Sequence, residues 1–130
     1  KDIVIFLALD NLKFAQLSGR VGKIAGFISA ALNIKPIVSL NDGALAANYR
    51  ARSIDNAMKK IVALLEQQLG DTPVNLCATH ALNAERAHTL LEMGKARLNV
   101  VDSFVEDLSI SVAGHLGPGT VGLVAYPAAE

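Results

Sequence analysis

The chain is poor in the residues that mark several classes of protein: among 130 residues it has no tryptophan, one cysteine and 5% aromatic residues. So few aromatic side chains argue against a base-stacking surface of the kind that binds single-stranded nucleic acid. Twelve Lys and Arg residues balance twelve Asp and Glu residues, so no net charge draws the chain towards nucleic acid or anionic lipid. The lone Cys77 cannot form an internal disulfide, which favours a reducing cytoplasm, and its apolar neighbours favour a small buried side chain.

Long hydrophobic runs and the common catalytic or metal-binding motifs are also missing. The first apolar run covers residues 3–9, which is too short to cross a membrane and lacks the flanks of a signal peptide. The three histidines have no metal-ligand spacing with Cys77, and no Gly-x-Ser-x-Gly motif is present. The Gly22-Lys23 pair is not a phosphate-binding loop, because Ile24 stands where that motif needs a hydroxyl. The sequence therefore predicts no metal, no cofactor and no nucleophilic catalysis.

The sequence does contain enough apolar material for one core. Hydrophobic residues make up 52% of the chain and charged residues 18%, a composition typical of a globular domain rather than of a disordered one. A chain of this length buries about two-thirds of the surface that its unfolded form exposes. We expect residues 1–130 to be a single domain. Because the chain starts with Lys1 and enters a strand at once, we also expect a preceding part to be absent.

Hydrophobic periodicity predicts an α/β domain built on a mixed sheet. Residues 3–9 form a continuous apolar run, which is typical of a strand covered on both faces. Two short runs on either side of Asn41-Asp42-Gly43 predict a hairpin, with Pro36 near a sheet edge or at the start of its strand. Because a hairpin needs antiparallel pairing and helical crossovers favour parallel pairing, the sheet cannot be purely parallel. Further extended runs lie at residues 74–79, 100–105, 109–113 and 121–126.

Four helical segments are predicted between these strands. A short helix is expected to follow the first strand, and a second covers residues 20–32, with apolar residues on two sides. That helix either faces something besides its own sheet or packs entirely into the core. Ser53 is placed to cap the longest helix, which is expected to end at Gly70. A further helix is expected to begin at Asn83 and to stop near Gly94.

The stretch GHLGPGTVG, residues 114–122, places His115 among four glycines and a proline. Gly117 and Gly119 leave the backbone without Cβ atoms, so another molecule can approach closely, while Pro118 limits the freedom of the chain. An imidazole on such a turn suits a carboxylate or a phosphate, because histidine donates a hydrogen bond in either charge state. The alternative is a plain tight turn between two strands, with His115 bonded to a nearby carbonyl, and the spacing alone does not decide between them.

Four cations form a candidate basic patch despite the zero net charge. Arg20 and Lys23 lie in the first turn of a predicted helix, where cations oppose the helix dipole; Arg50 ends the predicted hairpin and Arg52 follows it. A patch of this kind would attract an acidic partner, and four separate solvated charges are the alternative. His80 ends a predicted strand and is expected to hydrogen-bond locally.

Taken in order, several stretches resemble the C-terminal domain of the DegV family, bacterial fatty-acid-binding proteins. The stretches are LKFAQLSGRVGKIAG, LNIKPIVSLNDG, the RAR of residues 50–52, ATHA and above all HLGPGTVGL, and they span residues 12–123. The family commonly has a second glycine where Ser18 stands and a serine where Gly22 stands, so this chain departs from the family's pattern at both positions. The resemblance implies an α/β fold with a mixed sheet and flanking helices, which agrees with the periodicity.

The resemblance also implies a function. DegV-like proteins hold one long-chain fatty acid between two domains and act as the acyl-carrying subunit of a fatty acid kinase, in which a separate ATP-dependent subunit phosphorylates the bound carboxylate. By this likeness His115 matches the histidine that binds the carboxylate, with Gly117 and Gly119 beside it. The serine and threonine that share the carboxylate belong to the N-terminal domain. The chain is then expected to bind lipid without turnover of its own, in the cytoplasm and with no nucleic acid partner.

The resemblance also implies roles for the remaining candidate residues. Ile24, Phe27 and Ile28 are expected to line the slot for the acyl tail, and the basic patch is expected to dock the kinase subunit. Two other interpretations stay open. One is a stand-alone enzyme on a small carboxylated or phosphorylated metabolite, with His115 as general acid or base. The other is a non-catalytic interaction domain whose glycine turn is purely structural.

Overall fold

A computed structural model describes residues 3–10, 34–41, 44–109 and 116–128. Within these ranges the chain forms an α/β domain, in agreement with the predicted fold class. The strands and helices follow one another as β1 Val4–Ala8, β2 Lys35–Asn41, β3 Ala44–Ala51, α1 Ile54–Leu69, β4 Val74–His80, α2 Ala84–Arg97, β5 Val100–Asp107 and β6 Val121–Pro127.

The strands form one mixed sheet in the order β3-β2-β1-β6-β4-β5. Among the strands described here, only β4 and β5 pair in parallel, and α2 is the crossover between them, as a parallel connection requires. All the other neighbours in this part of the chain pair antiparallel. The apolar run at the start of the chain becomes β1, which lies between β2 and β6 and has buried residues on both of its faces.

The predicted hairpin is confirmed. Strands β2 and β3 pair antiparallel from Asn41 and Ala44 at the turn to Lys35 and Ala51 at the open end, with one irregularity between Ile37 and Ser39. The strands predicted at residues 3–9, 74–79, 100–105 and 121–126 are also confirmed, with ends shifted by one or two residues. Of the strand predicted at residues 109–113, the first residue lies outside any strand and the rest falls outside the described ranges, as do the two helices predicted before residue 33.

Helix α1 begins and ends where the sequence predicts. The side-chain oxygen of Ser53 accepts a hydrogen bond from the backbone N–H of Asn56 at 3.0 Å, which satisfies one of the free amides of the first turn. At the other end the N–H of Gly70 donates to the carbonyl of Glu66. The buried side of the helix faces the sheet and consists of Ile54, Ala57, Met58, Ile61, Val62 and Leu65.

Helix α2 follows Asn83 as expected, but the prediction that it stops near Gly94 is wrong. The helix continues to Arg97, and Gly94 lies buried within it. A Cβ atom at residue 94 would lie 2.7 Å from Cδ2 of Leu76, so the glycine lets the helix pack closely on β4. Lys95 and Arg97 in the last turn add favourable charges at the negative end of the helix dipole. The glycine therefore serves packing rather than termination.

The two helices cover one face of the sheet. Their apolar residues pack with alternate residues of the central strands, among them Phe6, Leu76 and Leu123. On the other face a smaller buried cluster consists of Leu7, Leu9, Val38 and Leu116, with Ile5 packed against it. In the described part of the chain, neither helix is long and apolar enough to cross a lipid bilayer.

Candidate functional site

A cavity of about 470 Å³ lies on the face of the sheet opposite α1 and α2. Its volume falls within the ~300–1,000 Å³ that is usual for small-molecule sites. The lining side chains come from four strands and from the segment after β5: Ile5, Leu7, Cys77, Thr79, Phe104, Glu106, Asp107, Leu108, Ser109, Val124 and Tyr126.

Strand register builds the floor of this cavity. Ile5 pairs with Val124, Val124 pairs with Cys77, and Cys77 pairs with Phe104. Paired residues on neighbouring strands point to the same face, so these four side chains form one apolar row across β1, β6, β4 and β5. Three gaps between strands make the row about 14 Å wide, at the usual ~4.8 Å spacing.

The cavity has a polar end and an apolar body. Thr79, Glu106, Asp107 and Ser109 lie where β4 and β5 end. Tyr126 lines the opposite end, where it pairs with Asn75. Along β4 the two ends are about 13 Å apart, at ~3.3 Å per residue. A ligand with a polar head and a long apolar body would match this distribution.

Cys77 lies in the floor of the cavity as a free and buried thiol, as the sequence predicts. Burial raises the pKa of this thiol above its ordinary value of 9.0, and the negative charge of Glu106 raises it further, while a hydrogen bond with the backbone of Glu106 acts in the opposite direction. Because the thiolate is the reactive form of cysteine, the raised pKa makes Cys77 a poor nucleophile. Its role in the floor is that of a small apolar side chain.

The glycine-rich turn adjoins the polar end. Gly117 and Gly119 have φ angles of 90° and 93°, a backbone region that residues with a side chain rarely adopt. The hydroxyl of Thr120 is fully buried and lies 2.9 Å from the carbonyl oxygen of Gly117, to which it donates. The N–H of Gly119 donates to the carbonyl of Ala81 at 2.7 Å. The turn is therefore held by hydrogen bonds to its own residues and to the end of β4.

The same turn packs closely on the end of β1. A Cβ atom at residue 119 would lie 3.0 Å from Cβ of Asp10, so a side chain there would meet the segment that follows β1. Asp10 is itself fixed by Lys35, whose ammonium lies 3.1 Å from its carboxylate and 2.8 Å from its carbonyl oxygen. Residue 119 is thus required to be glycine for two reasons: its positive φ angle and the close approach of Asp10.

His80 makes the local hydrogen bonds that the sequence predicts. Its Nδ1 accepts a hydrogen bond from the backbone N–H of Asn83 at 3.0 Å, and its Nε2 lies 3.1 Å from a carboxylate oxygen of Asp107. Asn83 in turn donates from its side chain to the carbonyl of Gly119 at 3.0 Å, rather than capping α2. This corner links the polar end of the cavity to the glycine-rich turn.

The structure places only some of the predicted site residues. Gly117 and Gly119 lie in the turn just described, and Arg50 and Arg52 are exposed at the end of β3. Strand β3 is the edge opposite to β5, so these two arginines lie at the far side of the sheet from the cavity. The other candidates lie outside the described residues: His115, Ile24, Phe27, Ile28, Arg20 and Lys23.

The apolar floor was not identified from the sequence, because its members lie on four strands whose register no local pattern reveals. The one available signal was the nearly continuous run of small and apolar residues along β6, because a strand without polar alternation is typical of a sheet covered on both faces. Within the described ranges, no group of three or more His, Cys, Asp or Glu residues is arranged to hold a metal ion.

The sequence matches the model of a known protein family. The matching family model, described as "Uncharacterised protein, DegV family", covers residues 1–128. A DegV domain-containing protein of Clostridium perfringens is 29% identical over 91% of this chain and 42% of its own length. A fatty acid-binding protein of Thermotoga maritima is 29% identical over 94% of this chain and 43% of its own length.

Among the solved structures that are similar to this chain is one that describes fatty acid binding by a DegV family protein of Thermus thermophilus. The two chains share 25% sequence identity and superpose with a TM-score of 0.87, and the match covers 98% of this chain and 46% of that one. The chain therefore spans less than half the length of each of these three proteins.

Proposed function

The chain belongs to the DegV family, and from that premise we propose that it binds the acyl chain of a long-chain fatty acid without turnover of its own. The observation that carries the proposal is the cavity of about 470 Å³ with its row of apolar side chains and one polar end. The relative from Thermotoga maritima is named as a fatty acid-binding protein, which supports the same ligand class.

The apolar body of the cavity would supply most of the affinity. Burying about fifteen methylene groups at about 0.8 kcal/mol each is worth on the order of 10 kcal/mol. A hydrogen bond to a charged group contributes only about 1.5–3 kcal/mol. The tail would therefore hold the ligand, and the polar groups would set its orientation.

His115 is our proposed partner for the carboxylate, with Gly117 and Gly119 beside it. The support is the position of the turn, which leads directly into β6, where Val121 pairs with the last residue of β4. The polar end of the cavity and the turn therefore adjoin. Ile24, Phe27 and Ile28 are proposed to cover the acyl chain from the side opposite the sheet.

A second domain and a kinase subunit complete the proposal. Because the chain spans less than half the length of its relatives, we assign the remaining contacts to a preceding N-terminal domain. A separate ATP-dependent subunit would then phosphorylate the carboxylate, a reaction that needs positioning and charge neutralisation rather than a protein nucleophile. The basic patch would steer that subunit, in the cytoplasm, with an association rate that falls as salt rises.

Lipid analysis of the full-length protein tests the ligand. Protein purified without detergent should release about one long-chain fatty acid per molecule on extraction, measured by mass spectrometry. Repeated native preparations with an empty site would remove the proposal. The His115→Ala variant should carry less fatty acid, whereas unchanged occupancy would leave the glycine-rich turn with a structural role only.

A separate measurement tests the kinase step. Acyl phosphate should form from ATP and the bound fatty acid only when a fatty acid kinase subunit is added, and hydroxylamine should trap it as the hydroxamate. Formation of acyl phosphate by the binding protein alone would contradict the absence of turnover.

A further inference from the structure

Thr79 is a buried polar residue whose hydroxyl has no hydrogen-bond partner in the described part of the chain. Three polar residues are buried there: Thr79, His80 and Thr120. Both ring nitrogens of His80 are engaged, and the hydroxyl of Thr120 donates to the carbonyl of Gly117 at 2.9 Å. The hydroxyl of Thr79, by contrast, makes no hydrogen bond to any residue within these ranges.

An unpaired hydroxyl is unfavourable inside a protein. Only 6% of Thr79 is exposed, so bulk water reaches little of it. Most buried polar side chains have a hydrogen-bond partner, and one without a partner costs free energy because its bonds to water have been lost. Thr79 lines the cavity, through which a molecule other than the protein can reach it. Its hydroxyl is therefore available to a polar group of the ligand.

Strand register places Thr79 where the apolar row ends and the polar end of the cavity begins. Cys77 of the apolar row lies two residues earlier on β4, so the two side chains point to the same face, about 6.6 Å apart along the strand. Across the strands Thr79 pairs with Gly122 on β6 and with Glu106 on β5. Gly122 has no side chain to offer, and the side chain of Glu106 is exposed. The polar head of a ligand whose body lies on the apolar row would therefore come beside Thr79.

The glycine-rich turn lies one residue pair away from Thr79. Val121, the first residue of β6, pairs with His80, which follows Thr79 on β4. The N–H of Gly119 donates to the carbonyl of Ala81 at 2.7 Å and so holds the turn against the end of β4. A carboxylate bound at this turn, as proposed above, would thus lie at the end of β4 that carries Thr79.

We propose that Thr79 is a further binding residue for the fatty acid: its hydroxyl donates a hydrogen bond to one oxygen of the ligand carboxylate. The inference rests on the proposed function and adds a contact from the sheet to the contacts from the turn. A threonine hydroxyl donates one hydrogen, and a hydrogen bond to an ionised acceptor is stronger than one between neutral groups. The hydroxyl that has no partner in the described chain thus gains one when the ligand binds.

The carboxylate of Glu106 acts against this contact. Glu106 is the cross-strand partner of Thr79, and it repels a second negative charge. Because its side chain is exposed, solvent and salt reduce the repulsion. A ligand carboxylate at Thr79 therefore predicts that Glu106→Gln binds palmitate at least as tightly as the wild type, with a gain of no more than about threefold.

The first experiment compares palmitate with the uncharged hexadecanol on full-length protein freed of lipid. Thr79→Val removes the hydroxyl and keeps the branched shape of the side chain. T79V should bind palmitate about tenfold more weakly, because the carboxylate loses one donor, whereas hexadecanol should lose no more than about threefold. Thr79→Ser retains the hydroxyl, so T79S should bind palmitate within about threefold of the wild type. Isothermal titration calorimetry measures these affinities.

Urea denaturation of the same lipid-free proteins tests whether the hydroxyl lacks a partner inside the protein. T79V should have the same urea midpoint as the wild type or a higher one, since valine replaces an unpaired hydroxyl with a methyl group. Thr120→Val is the matched control, because the hydroxyl that it removes donates to Gly117. T120V should therefore have a lower midpoint than the wild type.

Four results would overturn the inference: an unchanged palmitate affinity in T79V, an equal loss for palmitate and hexadecanol, weaker palmitate binding in E106Q, or a folded T79V with a midpoint as low as that of T120V. If T79V does not fold because the added methyl group is not accommodated, Thr79→Ala removes the same hydroxyl with less bulk, and its relative losses for the two ligands decide. A wild type that binds neither ligand would remove the proposed function. A wild type that binds both, with T79V unchanged, would remove only the role of Thr79.

Discussion

Gly122 of β6 lies directly opposite Leu7 of β1, with no room between them for a side chain. A Cβ atom at residue 122 would meet the carbonyl oxygen of Phe6 and would lie 2.9 Å from Cα of Leu7. Backbone atoms in the middle of a sheet cannot move aside without breaking pairs. Gly122→Ala should therefore lower the free energy of unfolding by about 1–3 kcal/mol, measured by urea denaturation.

Gly94→Ala is the control for that substitution. The nearest atom to a Cβ at residue 94 is Cδ2 of Leu76, the end of a flexible side chain. Alanine also favours a helix over glycine by about 1 kcal/mol. G94A should therefore change the free energy of unfolding by less than about 1 kcal/mol. A cost equal to that of G122A would show that close backbone approach is not the cause.

Leu82 carries backbone strain in the loop before α2. Its φ is 55°, and 91% of the residue is exposed, so no packing compensates for the strain. The left-handed conformation costs a residue with a Cβ about 1–2 kcal/mol, and asparagine tolerates it better than leucine. Leu82→Asn should raise the free energy of unfolding by about 0.5–1 kcal/mol. Leu82→Ala keeps the strain, so a gain as large as that of L82N would point to another cause.

Filling the cavity should block the acyl chain without unfolding the protein. Val124 lies in the centre of the apolar row, so Val124→Phe should lower palmitate binding at least tenfold, about 1.4 kcal/mol, while the melting temperature changes little. Val101→Phe adds the same volume at a side chain that is 63% exposed and does not line the cavity. Isothermal titration calorimetry on both variants measures the difference. An equal loss of palmitate affinity in V124F and V101F would show that the ligand binds outside this cavity.

The raised pKa of Cys77 predicts slow alkylation. Burial and the charge of Glu106 disfavour the thiolate, so at about pH 8.5 iodoacetamide should react more slowly with the folded chain than with the urea-unfolded chain. Glu106→Gln removes one of the two causes and should speed the reaction, and bound palmitate should slow it. An E106Q rate equal to or below that of the wild type would contradict the role of the charge. Mass spectrometry of timed samples gives the rates.

The raised pKa of Cys77 also determines in which direction the free energy of unfolding changes with pH. Because the pKa of Cys77 is higher in the folded chain than its ordinary value of 9.0, the thiol stabilises the folded state below about pH 9, and this contribution is lost as the pH rises further. Cys77→Ala should remove that alkaline loss. Urea denaturation of both proteins on either side of pH 9 measures it, and an identical alkaline slope in the two would contradict the shift.

Local sequence signals predict the elements of this fold well. A strand predicted at residues 3–9, a hairpin at Asn41 and a helix from Ser53 to Gly70 all appear, because β-branched runs, turn residues and caps act over a few neighbouring positions. Gly94 shows where such signals fail. A glycine at the end of an apolar stripe indicates a stop, yet here it fits the space beside Leu76, a contact between residues far apart in sequence.

The candidate site depends even more on distant contacts. Ile5, Cys77, Phe104 and Val124 share a row only because four strands pair in one particular register, which the sequence does not display. The contact between His80 and Asp107 depends likewise on the parallel pairing of β4 and β5, which brings the two residues together. The family resemblance supports the ligand class that we propose, whereas the floor of the cavity follows only from the three-dimensional structure.

The position of β6 has a consequence for how the chain folds. This strand joins β1 to β4 and thereby connects a half-sheet of β3, β2 and β1 to a half-sheet of β4 and β5, although it is the last strand described along the sequence. Pairs such as Val4 with Ala125 close a loop of nearly the whole domain, and such distant pairings slow folding. During synthesis, β1 and β4 therefore remain unpaired edge strands of the two half-sheets until β6 has left the ribosome and can pair with both.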